Sequence, residues 1–170
     1  FSAANAAIDV INGNGGTDSI AINNDAAVDG GGAAFTIVAA DEINQGATRV
    51  AGIEAIRAYG ATDQIISITV SAASAATELN TIDLSADTDN TSNNVIDAAL
   101  ATAGNGFILT GSAGADLTTG GAGTDTISTG GGADTITGGA LVDTITGGAG
   151  NDQFVFLRTN TLTTDRDNIT

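Results

Sequence analysis

Large apolar residues recur every nine positions in the C-terminal half of the chain. Ile127, Ile136, Ile145 and Phe154 share one phase, and most of their neighbours on either side are threonine or another polar residue. This alternation predicts short strands with one apolar side chain facing a core and its neighbours facing water. Glycine-rich segments of six residues separate the strands. A fixed period of nine predicts stacked coils, not one globular loop.

The first hundred residues carry shorter and less regular apolar runs. Their β-branched content predicts strands at intervals of roughly 12 to 15 residues, separated by Asn, Asp, Gly and Ser. The runs cover residues 8–11, 18–22, 35–38, 53–58, 65–70, 81–84 and 94–96. We therefore expect an all-β chain in which a less regular β-solenoid, or small sheets, precedes the C-terminal coils. A β-sandwich is an alternative, and the alanine-rich segment 71–79 is equally compatible with a short helix.

An aspartate precedes each C-terminal strand at the same nine-residue spacing. In register, the five units read GSAGADLTT from Gly111, then GGAGTDTIS, TGGGADTIT, GGALVDTIT and GGAGNDQFV. Glycines permit left-handed turns and bring carbonyl oxygens together, and aspartate adds a hard anionic oxygen, so these turns suit Ca²⁺. The candidate ligands are Asp116, Asp125, Asp134, Asp143 and Asp152, with the turn residues Gly114, Gly121, Gly123, Gly130, Gly132, Gly139, Gly148, Gly150 and Asn151.

One similar unit stands alone near the start of the chain. The segment GNGGTDSIA begins at Gly13 and makes Asp18 a further candidate ligand. An Asx turn between two strands explains the same residues without a metal. The acidic loop 83–94 lacks the nonapeptide phase; Asp87 and Asp89 could bind an ion there, but we expect a solvated loop.

Several substitutions interrupt the repeat. Leu141 replaces the fourth-position glycine of its unit, Thr129 a first-position glycine and Ser112 a second-position glycine. We therefore expect the pair Asp125 and Asp143 to form the most perturbed site.

The buried position of the first unit is also unusual. Thr118 stands where an apolar residue belongs, which predicts that the coils fray or change shape near Gly111. Leu109, nine residues before Thr118, restores the apolar phase without an aspartate.

Stacking places equivalent aspartates close together. At the strand spacing of about 4.8 Å, two such charges repel by roughly 0.9 kcal/mol even in water. Without a cation the coils should loosen, and calcium would replace the repulsion with coordination. Calcium binding and folding should therefore be one reaction.

The repeats resemble the haemolysin-type calcium-binding repeats, called RTX repeats, over residues 104–155. The resemblance implies a parallel β-roll in which two nonapeptides make one coil and each ion lies between stacked turns. It implies one stack of Asp116, Asp134 and Asp152 and another of Asp125 and Asp143, with about three Ca²⁺ ions or more. We expect a β-rich assembly region at 1–100, the calcium-binding roll at 101–156, and the start of a capping segment at 157–170.

Composition narrows the functional classes. The net charge is −16, and the chain contains no Pro, Cys, Met, Trp, Lys or His. These absences remove disulfides, zinc ligation through Cys or His, and every nucleophile–histidine pair, so we expect no enzyme. The acidic charge disfavours nucleic acid, and nothing indicates direct insertion into a membrane.

The chain also resembles bacterial surface-layer proteins, over more of its length but less specifically. This resemblance implies a secreted structural protein that binds calcium and self-assembles at the cell surface as a surface-layer or filament subunit. Copies of the chain itself, and cell-surface polysaccharide, are then the expected partners. The alternative is a calcium-dependent folding or secretion module of a larger exoenzyme, toxin or adhesin. RTX resemblance further implies type I secretion from a bacterium, and we expect the natural polypeptide to continue past Thr170.

Overall fold

A computed structural model describes residues 11–12, 17, 19–22, 35–38, 50–51, 53–58, 65–70, 79–91, 93–101, 106–156 and 166–170. Within these ranges the chain forms strands and turns and no helix. The strands are β1 Ile11–Asn12, β2 Ser19–Ile22, β3 Phe35–Val38, β4 Val50–Ala51, β5 Ala55–Ala58, β6 Ile66–Thr69, β7 Thr81–Asp83, β8 Val95–Asp97, β9 Ile108–Thr110, β10 Leu117–Gly121, β11 Thr126–Ser128, β12 Thr135–Gly139, β13 Thr144–Thr146, β14 Gln153–Phe154 and β15 Asn168–Ile169.

Two parallel sheets run the length of the described chain. One contains six strands in the order β14-β12-β10-β8-β6-β3, and the other seven in the order β15-β13-β11-β9-β7-β5-β2. Consecutive strands of the later coils alternate between the sheets, so each coil adds one rung to both. β1 and β4 form a separate two-stranded parallel sheet. The fold is therefore a parallel β-solenoid that becomes a regular β-roll, as the repeats predicted, and the β-sandwich alternative is wrong.

The length of a coil changes along the solenoid while the register of its buried residues does not. Ile56 pairs with Ile82, and Ile82 with Leu109, across coils of 26 and 27 residues. Leu109 pairs with Ile127 and Ile127 with Ile145 after 18 residues each. The longer coils therefore carry more residues between strands that keep the same pairing register.

The core is a narrow double column of apolar side chains between the sheets. The seven-stranded sheet contributes Ile20, Ile56, Ile82, Leu109, Ile127 and Ile145, all buried. The six-stranded sheet contributes Ile68, Ile96, Thr118 and Ile136, with half-buried Phe154 below them. The sequence correctly predicted the inward phase and the role of Leu109.

The roll does not fray near Gly111, contrary to the expectation from Thr118. Thr118 is 1% exposed and lies in register between Ile96 and Ile136, in a five-residue strand. Strand pairing on both sides holds the chain in place, so a single polar side chain does not interrupt the ladder. Both sheets also continue across residue 101, where the assembly region was expected to meet the roll.

Most of the segment 71–79 lies outside the described residues, so its predicted helix is not described. Leu79 is buried and precedes β7 in non-helical backbone.

Candidate metal site in the stacked turns

The turns of the roll stack along two opposite edges. On the first edge, turns 84–94, 111–116, 129–134 and 147–152 connect the seven-stranded sheet to the six-stranded sheet. On the second edge, turns 122–125 and 140–143 connect them in the other direction. The structure therefore places Asp116, Asp134 and Asp152 on the first edge and Asp125 and Asp143 on the second.

Asp134, Asp143 and Asp152 each accept a hydrogen bond from the backbone of the aspartate one coil earlier. On the first edge, the Asp116 N–H donates to Asp134 Oδ1 at 2.8 Å, and the Asp134 N–H donates to Asp152 Oδ1 at 3.2 Å. On the second edge, the Asp125 N–H donates to Asp143 Oδ1 at 2.7 Å. These bonds fix the carboxylates in register, so the coil spacing sets the spacing of the charges.

The second ladder contains an aspartate that the sequence reading missed. The Asp143 N–H donates to Asp167 Oδ1 at 3.1 Å, and β15 continues the sheet beneath β13. Residues 167–170 read DNIT, close to the DTIT that begins at Asp143. Asp167 lies 24 residues after Asp143, which is not a multiple of nine, so the nine-residue spacing does not predict its place in the ladder.

Both aspartate ladders end in uncharged groups in the coil that precedes Asp116 and Asp125. Asn94 occupies the position equivalent to Asp116 in the preceding coil, and its Oδ1 accepts the Ile66 N–H at 2.8 Å. Its amide nitrogen donates to Asp87 Oδ2 at 2.8 Å. Asp87 is fully buried, so the expectation of a solvated loop is wrong for this residue. On the second edge the Phe107 N–H donates to Asp125 Oδ1 at 2.8 Å.

Left-handed backbone occurs in the last three nonapeptide turns. Gly130 and Gly132 have φ of 97° and 110°, and Gly148 and Gly150 have φ of 95° and 136°. In the turn between them, Gly139 has φ of 121° and Leu141 adopts φ of 73°. Leu141 therefore follows the turn geometry despite its side chain, at a cost of roughly 1–2 kcal/mol. The stacking of Asp125 over Asp143 survives the substitution that was expected to perturb it.

First-position glycines leave room for the carboxylates. A Cβ added to Gly147 would lie 2.4 Å from Asp152 Oδ2, and one added to Gly138 would lie 2.5 Å from Asp143 Oδ2. A side chain at Gly138 or Gly147 would force the neighbouring carboxylate to shift, whereas Thr129 occupies the same position in the 129–134 turn.

Burial makes the charged carboxylates unfavourable. The pKa of Asp116 is raised to about 6, mainly by burial and in part by the neighbouring charge of Asp134, against hydrogen bonds from Ser112 that lower it. Burial also raises the pKa of Asp125 and the pKa of Asp134, and the charge of Asp152 adds to the shift at Asp134. A cation bound between the turns would reverse this penalty.

The comparison with protein families agrees with this geometry. The family model for the RTX calcium-binding nonapeptide repeat matches residues 3–21, 110–141 and 128–156. The chain carries RTX calcium-binding nonapeptide repeats. RTX repeats bind Ca²⁺, so calcium is the metal of these turns, and several repeats indicate several ions. The match at 3–21 includes Asp18, which lies outside the described residues. Comparisons with curated proteins and with solved structures give no match.

The RTX turns fit calcium better than a metal held by side chains alone. Within the described ranges, no three Asp, Glu, His or Cys side chains cluster closely enough to hold an ion. Ca²⁺ takes six to eight oxygen ligands and readily uses backbone carbonyls. The Gly132 carbonyl oxygen packs directly against Gly150 of the next turn, and Asp134 Oδ2 is buried without a hydrogen-bond partner. A carbonyl oxygen in the gap between these two turns and an unsatisfied carboxylate oxygen of Asp134 are thus available to an ion.

Proposed function

We propose that this chain is a secreted structural protein whose RTX roll folds on calcium and which self-assembles at a bacterial cell surface. The observation that carries the proposal is the continuity of the solenoid. The coils that bear the aspartate ladders share both sheets with the coils before them. Ordering of the RTX turns by calcium would therefore stabilise a body much larger than the repeats.

Calcium supplies positive charge and oxygen coordination between stacked turns. The chain itself positions the ligands. The backbone ladder holds the carboxylates in register, and the glycines bring the carbonyl oxygens of adjacent turns together. Because burial raises the pKa of three ladder aspartates, the calcium-free roll carries an electrostatic penalty that the ion removes. Folding and binding are then thermodynamically linked.

Open sheet ends support self-assembly. At one end of the described solenoid, β14 and β15 each have a neighbour on only one side, and β3 and β2 do so at the other end. Strands with unpaired edges bind further strands. Ile169 continues the buried ladder below Ile145 and is 42% exposed. A second copy stacked on this end would cover that side chain and pair both strands.

A non-catalytic role agrees with the repeats, because RTX domains are typically structural calcium-binding modules. Proteins with RTX repeats are generally secreted, which supports an extracellular location. Within the described part of the chain, no helix is long and apolar enough to span a membrane. Cell-surface polysaccharide is a second proposed partner, on the strength of the surface-layer resemblance.

The test is a calcium titration followed by circular dichroism and light scattering together, over about 0.01 to 10 mM with magnesium as the control. The proposal predicts that β-structure and large ordered particles both appear with calcium and not with magnesium. The matched variant is Ile169→Lys, which places a charge on the open end and should lower scattering while preserving the dichroism. Folding without assembly would replace this proposal with a secretion or folding module of a larger protein, and no response to calcium would overturn both.

A further inference from the structure

The five RTX turns fall into two structural groups. In the first two turns, 111–116 and 120–125, the second-position N–H donates to the aspartate of the same turn. The Ser112 N–H donates to Asp116 Oδ2 at 2.6 Å, and the Gly121 N–H donates to Asp125 Oδ2 at 2.8 Å. In the last three turns, the residues at positions two and four all have left-handed backbone, which no described residue of the first two turns shows.

The two groups leave their carboxylates in different states. Asp116 also accepts a hydrogen bond from the Ser112 hydroxyl at 3.0 Å, and Asp125 Oδ1 accepts the Phe107 N–H. Both oxygens of each carboxylate therefore receive hydrogen bonds from the protein. Asp134 differs, because Oδ1 accepts the Asp116 N–H while Oδ2 accepts nothing, although the residue is 1% exposed.

Thr129 does not supply a hydrogen bond to the unsatisfied oxygen of Asp134. Thr129 occupies the first position of the same turn and is fully buried. Its hydroxyl lowers the pKa of Asp134, but its single hydrogen is donated to the Gly147 carbonyl at 2.8 Å. A buried carboxylate oxygen without a partner is costly, and a cation is the group that would satisfy it.

We propose that the aspartates of the roll have two roles, and that the first calcium ion binds at Asp134, between turns 129–134 and 147–152. Asp116 and Asp125 instead accept hydrogen bonds from backbone amides of their own turn and of the preceding coil. Both turns at the proposed first site have the left-handed glycines, and the Gly132 carbonyl meets Gly150 across the gap. The inference rests on the proposed calcium function, and it assigns an order to ladder positions that the repeat motif treats as equal.

Ser112 shows how the sequence distinguishes the first turn. Left-handed backbone costs a residue with a Cβ about 1–2 kcal/mol, and a serine hydroxyl can hydrogen-bond locally. Ser112 therefore remains outside the left-handed region and donates both its N–H and its hydroxyl to Asp116. The serine hydroxyl thus adds a second donor to Asp116, whereas the 120–125 turn reaches the same arrangement through the Gly121 N–H alone.

The test compares two isosteric variants of the full chain, Asp134→Asn and Asp116→Asn. Both positions are buried on the same edge, and each variant removes one negative charge. Isothermal titration calorimetry with calcium should show that Asp134→Asn weakens the tightest binding class by about tenfold or more, whereas Asp116→Asn changes it by less than about threefold. The calcium-induced rise in melting temperature should follow the same order.

The outcomes separate this inference from the proposed function. If the wild-type chain binds no calcium, the proposed function fails. If the wild-type chain binds but both variants lose affinity equally, or Asp116→Asn loses more, the two-role assignment fails alone. Should Asp134→Asn not fold, ¹⁵N spectra of the wild-type chain at substoichiometric calcium decide. The Gly130 and Gly150 amides should then shift first, and earlier shifts at Ser112 and Gly121 would contradict the assignment.

Discussion

Replacing Thr118 by valine should stabilise the protein. Thr118 is 1% exposed, its hydroxyl oxygen has no hydrogen-bond partner, and its neighbours in the ladder are Ile96 and Ile136. A buried polar group without a partner costs about 1–3 kcal/mol. Valine has nearly the same shape and buries a methyl group in place of the hydroxyl. We therefore expect Thr118→Val to raise the free energy of unfolding by about 1–2 kcal/mol.

Urea and thermal unfolding at saturating calcium measure this change. For a chain of this size, each kcal/mol corresponds to a rise in melting temperature of about 2–4 °C. The control is Thr119→Val, the next residue of the same strand, which is half-buried and lies on the opposite face. It shares the change in strand propensity but not the buried hydroxyl, so we expect an effect within about 0.5 kcal/mol. A loss of stability in Thr118→Val, or an equal gain in Thr119→Val, would show that the buried Thr118 hydroxyl is not a stability cost.

Three further predictions concern the turns. Leu141→Gly should keep or raise stability by up to about 1 kcal/mol in thermal unfolding, because removing the strain at φ 73° offsets the entropy of glycine, and a clear loss would contradict that reading. Asn94→Asp should lower stability by about 3 kcal/mol or more, because it replaces the donor to buried Asp87 with a second carboxylate, and Asn94→Ala should cost less. Without calcium, the free energy of unfolding should fall as the pH rises from about 4 to about 6. The pKa of Asp116 is raised in the folded state, so the folded state binds the proton more tightly than the unfolded state does. The stabilisation present at low pH is therefore lost through this window. Urea unfolding of Asp116→Asn should show a weaker pH dependence, and an unchanged slope would contradict the assignment.

The buried phase of the roll could be predicted from sequence because it is local. Each strand shows one large apolar residue between polar neighbours, and the nine-residue period fixes which residues stack. Ile127 and Ile145 therefore pair as expected, and Asp134 lies above Asp152. Most described strands of the less regular region also lie within or next to the predicted runs, because β-branched runs bounded by turn residues identify them, but β4 was not predicted.

The features that were missed depend on contacts between coils. The place of Asp167 in the second ladder follows from the pairing of β13 with β15 across a 24-residue separation, which no fixed period reveals. The burial of Thr118 follows from the strands on both sides, which outweigh the preference of its own side chain. The division of the turns follows from backbone conformation, which the glycine pattern permits but does not determine.

Calcium ordering of the last RTX turns should stabilise the roll, and hydrogen–deuterium exchange with and without calcium, resolved to peptides, measures this region by region. Calcium should raise protection most strongly in the peptides covering 129–152, with a smaller increase over 106–125, where the protein's own amides already satisfy Asp116 and Asp125. Equal exchange with and without calcium across 129–152 would contradict it.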